Sequence, residues 1–96
     1  MSVLKKQIKT KKTKEEMKSF VNNKILTLPM LSSVVSKTEW QIDRLDFEST
    51  LGNGYFLFME NLVEIEIKLS FMGNIAKAQI EKAIDTEFLK LEENNN

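Results

Sequence analysis

From Lys37 to Leu69 apolar and polar positions alternate with the two-residue period of a strand, and from Ala76 the period becomes that of a helix. Trp40, Ile42, Leu45, Phe47, Phe56, Phe58, Val63, Ile65, Ile67 and Leu69 fall on one side of the alternating region. Asp46, Glu48, Glu64, Glu66 and Lys68 fall on the other, the pattern of an antiparallel sheet that is dry on one face and wet on the other. Two-residue turns expected at Asp43-Arg44, Asn53-Gly54 and Glu60-Asn61 divide the region into four strands, Asn-Gly being the strongest of the three signals. In that register Leu51 pairs with Phe56, and Phe58 and Phe56 sit opposite Val63 and Ile65. Ala76, Ile80, Ile84, Phe88 and Leu91 then form the apolar ridge of a helix beginning near Asn74, whose natural partner is the aromatic sheet face.

Ahead of the meander, Val3 to Lys9 reads as a short strand whose lysine density suits a sheet edge. Thr13-Lys14-Glu15-Glu16 is a capping box, in which the Thr13 hydroxyl and the Glu16 carboxylate satisfy amides left free at a helix start. The two glutamates also suit the positive end of the helix dipole. Met17, Phe20, Val21, Ile25 and Leu28 recur at helical spacing. Burying each is worth about 1.5 to 3 kcal/mol, which outweighs the weak helix preference of Asn22 and Asn23. Pro29 ends the helix, because the residue before a proline is pushed out of the helical region. Residues 30 to 36 suit a loop, a short turn or the lead-in to a strand. Glu92 to Asn96 reads as a polar, frayed tail. The expected architecture is α+β in the order β-α-β-β-β-β-α, one domain over residues 1–96, with two helices packed on one face of an antiparallel meander.

Composition narrows the chemistry. Cysteine and histidine are both absent, which removes disulfides, thiolate nucleophiles, the usual zinc ligands and the side chain that titrates near neutrality. No catalytic constellation is present, so no enzyme activity, cofactor or metal is expected. Asp46, Glu48, Glu64 and Glu66 read as the solvated side of a sheet rather than as a cation site, because no loop concentrates oxygen ligands. Gly52-Asn53-Gly54 lacks the helix and lysine of a phosphate loop. Fourteen basic and fourteen acidic residues give a neutral chain, yet residues 1–24 carry eight Lys against two Glu. Lys5, Lys6, Lys9, Lys11, Lys12, Lys14 and Lys18 lack the interleaved aromatics and arginines of nucleic-acid binders. They are expected to complement the acidic remainder of the same molecule. No segment reaches the roughly 18 apolar residues of a spanning helix, and a cytoplasmic location is expected.

The best local clue to function is the strand Tyr55-Phe56-Leu57-Phe58-Met59, apolar on both faces. Tyr55, Leu57 and Met59, with Leu62 nearby, should project from the wet side as a contact for a second copy or for a hydrophobic partner, since contiguous apolar patches rarely stay exposed without use. The alternative is a carrier enclosing an apolar ligand between the sheet and the last helix, lined by Trp40, Phe47, Phe56, Phe58, Ile84 and Phe88.

Trp40, Asp43, Leu45, Phe47 and Gly54, then Val63-Glu64-Ile65-Glu66-Ile67-Lys68-Leu69, Phe71 and the helix with Ile80-Glu81, together resemble the small polyhydroxyalkanoic acid system, or granule-region, protein family. The resemblance covers most of the chain. It implies a strand, a helix, a meander and a final helix, and an accessory role at the surface of polyester storage granules. It implies no enzymatic activity and carries over no catalytic residue.

Overall fold

The computed structural model describes residues 3–93. The chain runs β1 (Val3–Lys9), α1 (Lys14–Phe20), a π-helical turn (Val21–Ile25), α2 (Pro29–Ser32), β2 (Val35–Gln41), β3 (Arg44–Ser49), β4 (Gly52–Met59), β5 (Leu62–Leu69), α3 (Phe71–Ile75) and α4 (Lys77–Glu93). The strands form one antiparallel sheet in the order β1-β5-β4-β3-β2. This is the expected α+β meander, with β1 at an edge as its lysines suggested and with α1 and α4 packed on a single face. Two short helices, α2 and α3, are additions. The tail expected from Glu92 onward lies outside the described residues from 94, and α4 continues to Glu93.

The helix start follows the local chemistry. Glu16 N–H donates to Thr13 Oγ1 at 3.2 Å and Thr13 N–H to Glu16 Oε1 at 3.0 Å, closing the capping box. The hydrogen bonds to the Glu16 carboxylate, from the Thr13 backbone first, hold its pKa below the ordinary value. The expected continuous helix to Leu28 is corrected: it widens into a π turn at Val21 and ends before Pro29, which becomes the first residue of α2. Met17, Val21 and Ile25 are spaced by fours, and an α-helix drifts by roughly 40° over each such step. A wider turn offsets that drift and keeps all three buried at 1% exposure or less.

Two turns also move. The first hairpin turns at Ile42-Asp43 rather than Asp43-Arg44, so Trp40 pairs with Leu45, and Ile42 stands in solvent instead of sharing their face. The second turns at Thr50-Leu51, and Asn53-Gly54 lies within β4, where Phe56 pairs with Leu45 rather than with Leu51. The turn chemistry comes from neighbouring residues instead. Gly52 adopts φ +145°, Leu51 N–H donates to Ser49 Oγ at 3.2 Å, and Ser49 Oγ donates to the Gly52 carbonyl at 2.6 Å. This lengthens β4 to eight residues, all paired with the eight of β5. The third turn, Glu60-Asn61, falls where expected, with Asn61 at φ 59°.

The core lies between the sheet and the helices. Leu4, Leu45, Phe47, Phe56, Phe58, Val63, Ile65, Ile67 and Leu69 meet Met17, Val21, Ile25, Leu31, Ile80, Ile84 and Phe88. Phe88 meets Phe20 edge to face at 5.1 Å between ring centroids. Four of the N-terminal lysines pair with acidic groups of the same molecule. Lys5 pairs with Glu66 at 3.3 Å, and Lys6 reaches Glu81 at 3.2 Å and Asp85 at 2.9 Å. Lys14 and Lys18 converge on Asp43 at 3.3 and 2.8 Å.

Candidate interaction surface

All helical packing described above falls on one face of the sheet, and the opposite face carries the alternate residues of every strand. On β4 these are Asn53, Tyr55, Leu57 and Met59. Pairing places Tyr55 between Asp46 and Glu66, Leu57 between Arg44 and Glu64, and Met59 opposite Leu62. Leu62 in turn faces Lys9 on β1. The four apolar side chains singled out from sequence therefore lie together, as one row along β4 that steps across to β5. Each is half-buried.

Charged neighbours account for that partial cover. The Arg44 guanidinium lies 4.1 Å from the Tyr55 ring centroid, a cation–π distance, while its Nε holds Asp46 Oδ1 at 3.0 Å. Lys5 holds Glu66 from the other side. A shallow concavity of about 390 Å³ opens beside this row, with Tyr55 among Lys37, Glu39, Arg44, Asp46, Glu66 and Lys68. It takes in Tyr55 but not Leu57, Met59 or Leu62. Among the described residues no acidic cluster is placed to hold a metal ion.

No family model, curated protein or solved structure matches this chain. The surface has to be read from its own chemistry, which offers apolar contact bordered by both signs of charge.

The residues expected to line a ligand cavity occupy a different environment. Phe47, Phe56, Phe58, Ile84 and Phe88 are buried, with Phe47 to Phe56 and Phe56 to Phe58 centroids 5.6 and 6.5 Å apart. Trp40 is 40% exposed and stacks on Phe58 at 5.7 Å. These are direct ring contacts, so a guest between sheet and helix would have to displace the core.

Sequence reasoning missed a second apolar area. Phe71, Met72 and Ile75 of α3 are 78%, 55% and 69% exposed. Ser70 caps this helix, accepting from Gly73 N–H at 3.1 Å and donating to the Thr50 carbonyl at 2.7 Å. Gly73 packs against the Leu51 peptide on the buried side. The signal was present as a capping serine followed by apolar residues one, two and five places on, with a glycine between them.

No described helix is long and apolar enough to cross a membrane.

Proposed function

We propose that this chain is a non-catalytic interaction protein that adsorbs through the open sheet face to an apolar partner surface. The observation that carries the reading is the adjacency of Tyr55, Leu57, Met59 and Leu62 on the face that the helices leave uncovered. Met59 is adaptable and Tyr55 joins an apolar body to a polar tip, which suits a surface without fixed shape. The resemblance to granule-region proteins supports a storage polyester as that surface and an accessory role there.

The test is adsorption of purified protein to polyhydroxybutyrate particles at several ionic strengths. Leu57→Glu places a charge in the middle of the apolar row without touching the core, so the variant should remain folded and lose most of its adsorption. Equal adsorption of the folded variant and the wild type would refute the reading.

A further inference from the structure

The two edges of the sheet differ in what they can accept. Phe58 N–H donates to the Asp43 carbonyl at 2.8 Å and Thr50 N–H to the Val34 carbonyl at 3.1 Å. These bonds fix the alternation across β3, so that Asp43, Leu45 and Phe47 turn their backbone groups toward β4, and Arg44, Asp46 and Glu48 turn theirs toward β2. Lys37, Glu39 and Gln41 consequently bond inward, and Thr38 and Trp40 direct their N–H and C=O groups out of the sheet. Every residue of β2 after Val35 is exposed. A bulge interrupts the pairing between Val35 and Lys37 and leaves Lys37–Gln41 regular.

We propose that β2 joins β2 of a second copy, antiparallel and two-fold symmetric about Thr38, to make one continuous sheet across two molecules. Centring the pair on Thr38 makes it an exchanging pair, each Thr38 giving one N–H and one C=O to the other. Lys37 then stands opposite Glu39 of the second copy, and Glu39 opposite its Lys37, in the closer, non-exchanging positions where side chains interact most strongly. Neither Lys37 nor Glu39 has an ion-pair partner among the described residues. Glu39 moreover sits directly across from Asp46, a like-charge pairing that a lysine on its other side relieves. Trp40 comes to lie against the Ser36 end of the second strand and loses part of its exposure. The opposite edge offers no such match: the outward-bonding residues of β1 include Lys5, Gln7 and Lys9, and self-pairing about Lys5 sets it against its own copy while self-pairing about Gln7 sets Lys5 against Lys9.

Sedimentation of the full chain across a concentration series, from about 1 µM to about 1 mM, tests the proposal. The wild type should pass from 11.1 kDa to twice that mass. The emission of its single tryptophan should shift to the blue over the same range. Lys37→Glu sets two carboxylates together on each side of the axis and should raise the dissociation constant at least tenfold. The exchange Lys37→Glu with Glu39→Lys should restore it. Thr38→Pro removes the outward N–H while leaving the β3 ladder intact, and should also abolish the dimer. Leu57→Glu, on the open face, should not. A wild type monomeric throughout, a dimer unaffected by Lys37→Glu, or a charge exchange that fails to restore association would overturn the proposal. If Thr38→Pro proves misfolded by circular dichroism, the two exposed charge variants still decide it.

Discussion

Gly73 brings its Cα so close to the Leu51 carbonyl that an added methyl group overlaps the peptide, while Ser70 N–H donates to the same oxygen at 3.0 Å. Gly73→Ala should therefore lower stability by about 1 to 3 kcal/mol, seen as an earlier urea midpoint at unchanged slope; a wild-type midpoint would mean that α3 can lift away without loss. Asp43 makes a second prediction. Its hydrogen bond with Lys18, aided by Lys14, outweighs the burial that opposes ionisation and holds its carboxyl below the ordinary 3.8. A depressed carboxylate stabilises fully above the ordinary value and loses that contribution as pH falls through the lower, folded one. Wild type should thus exceed Asp43→Asn in urea resistance at neutral pH by a margin that shrinks below about pH 4. A margin independent of pH would count against the pairing. At this scale the capping box was legible because its chemistry is complete within four residues, Thr13 to Glu16. The second hairpin was not: Asn53-Gly54 carries the stronger local signal, but turning there forgoes the pairing of Gly52 with Leu69 and Asn53 with Lys68.

Among elements, the displaced turns left every strand facing the intended way. Trp40 meets Leu45 instead of Phe47, a shift of two residues, and Phe56 meets Leu45 instead of Leu51, a shift of six. Only odd slips invert a strand, so the apolar alternation fixed the faces while saying little about partners. The same reasoning explains the missed break in the first helix, since Met17, Val21 and Ile25 signal one buried stripe whether the turn beneath them is α or π. The joint between β1 and α4 rests on Lys6, an inward position whose side chain keeps 16% exposure between Glu81 and Asp85. Burial works against its charge, but the hydrogen bonds to Asp85 and Glu81 prevail and raise its pKa above 10.5. Because both acids are about half exposed, Lys6→Ala should cost only about 1 kcal/mol. A raised lysine stabilises fully below its ordinary value and ceases to as pH climbs through the folded one, so this cost should hold at neutral pH and fade in strong alkali. Chemical denaturation at both extremes checks it, and a cost that persists in alkali would assign Lys6 a packing role alone.

For the molecule as a whole, the division into a helical side and an open side was readable from sequence, as was the adjacency of Tyr55, Leu57, Met59 and Leu62. The exposed apolar residues of α3 were not, because Phe71 stands two places after Leu69 and so continues the inward alternation of β5 across Ser70. If the open face is the adsorbing one, pairing through β2 places two such faces on the same side, since the two-fold axis stands perpendicular to the sheet. Adsorption should then strengthen with protein concentration more steeply than a single face allows, and Lys37→Glu should weaken it without touching the apolar row. Equal binding curves for the two proteins on polyester particles would separate adsorption from pairing. The lysines of β1 bear on what happens beyond two copies. A building block with two reactive ends grows into a chain, whereas one with a single reactive end is its own terminator. If β2 is the reactive end, the exposed Lys5 and Lys9 of β1 make this sheet the second kind, and replacing them with neutral residues is the change by which the pair would turn into a fibre.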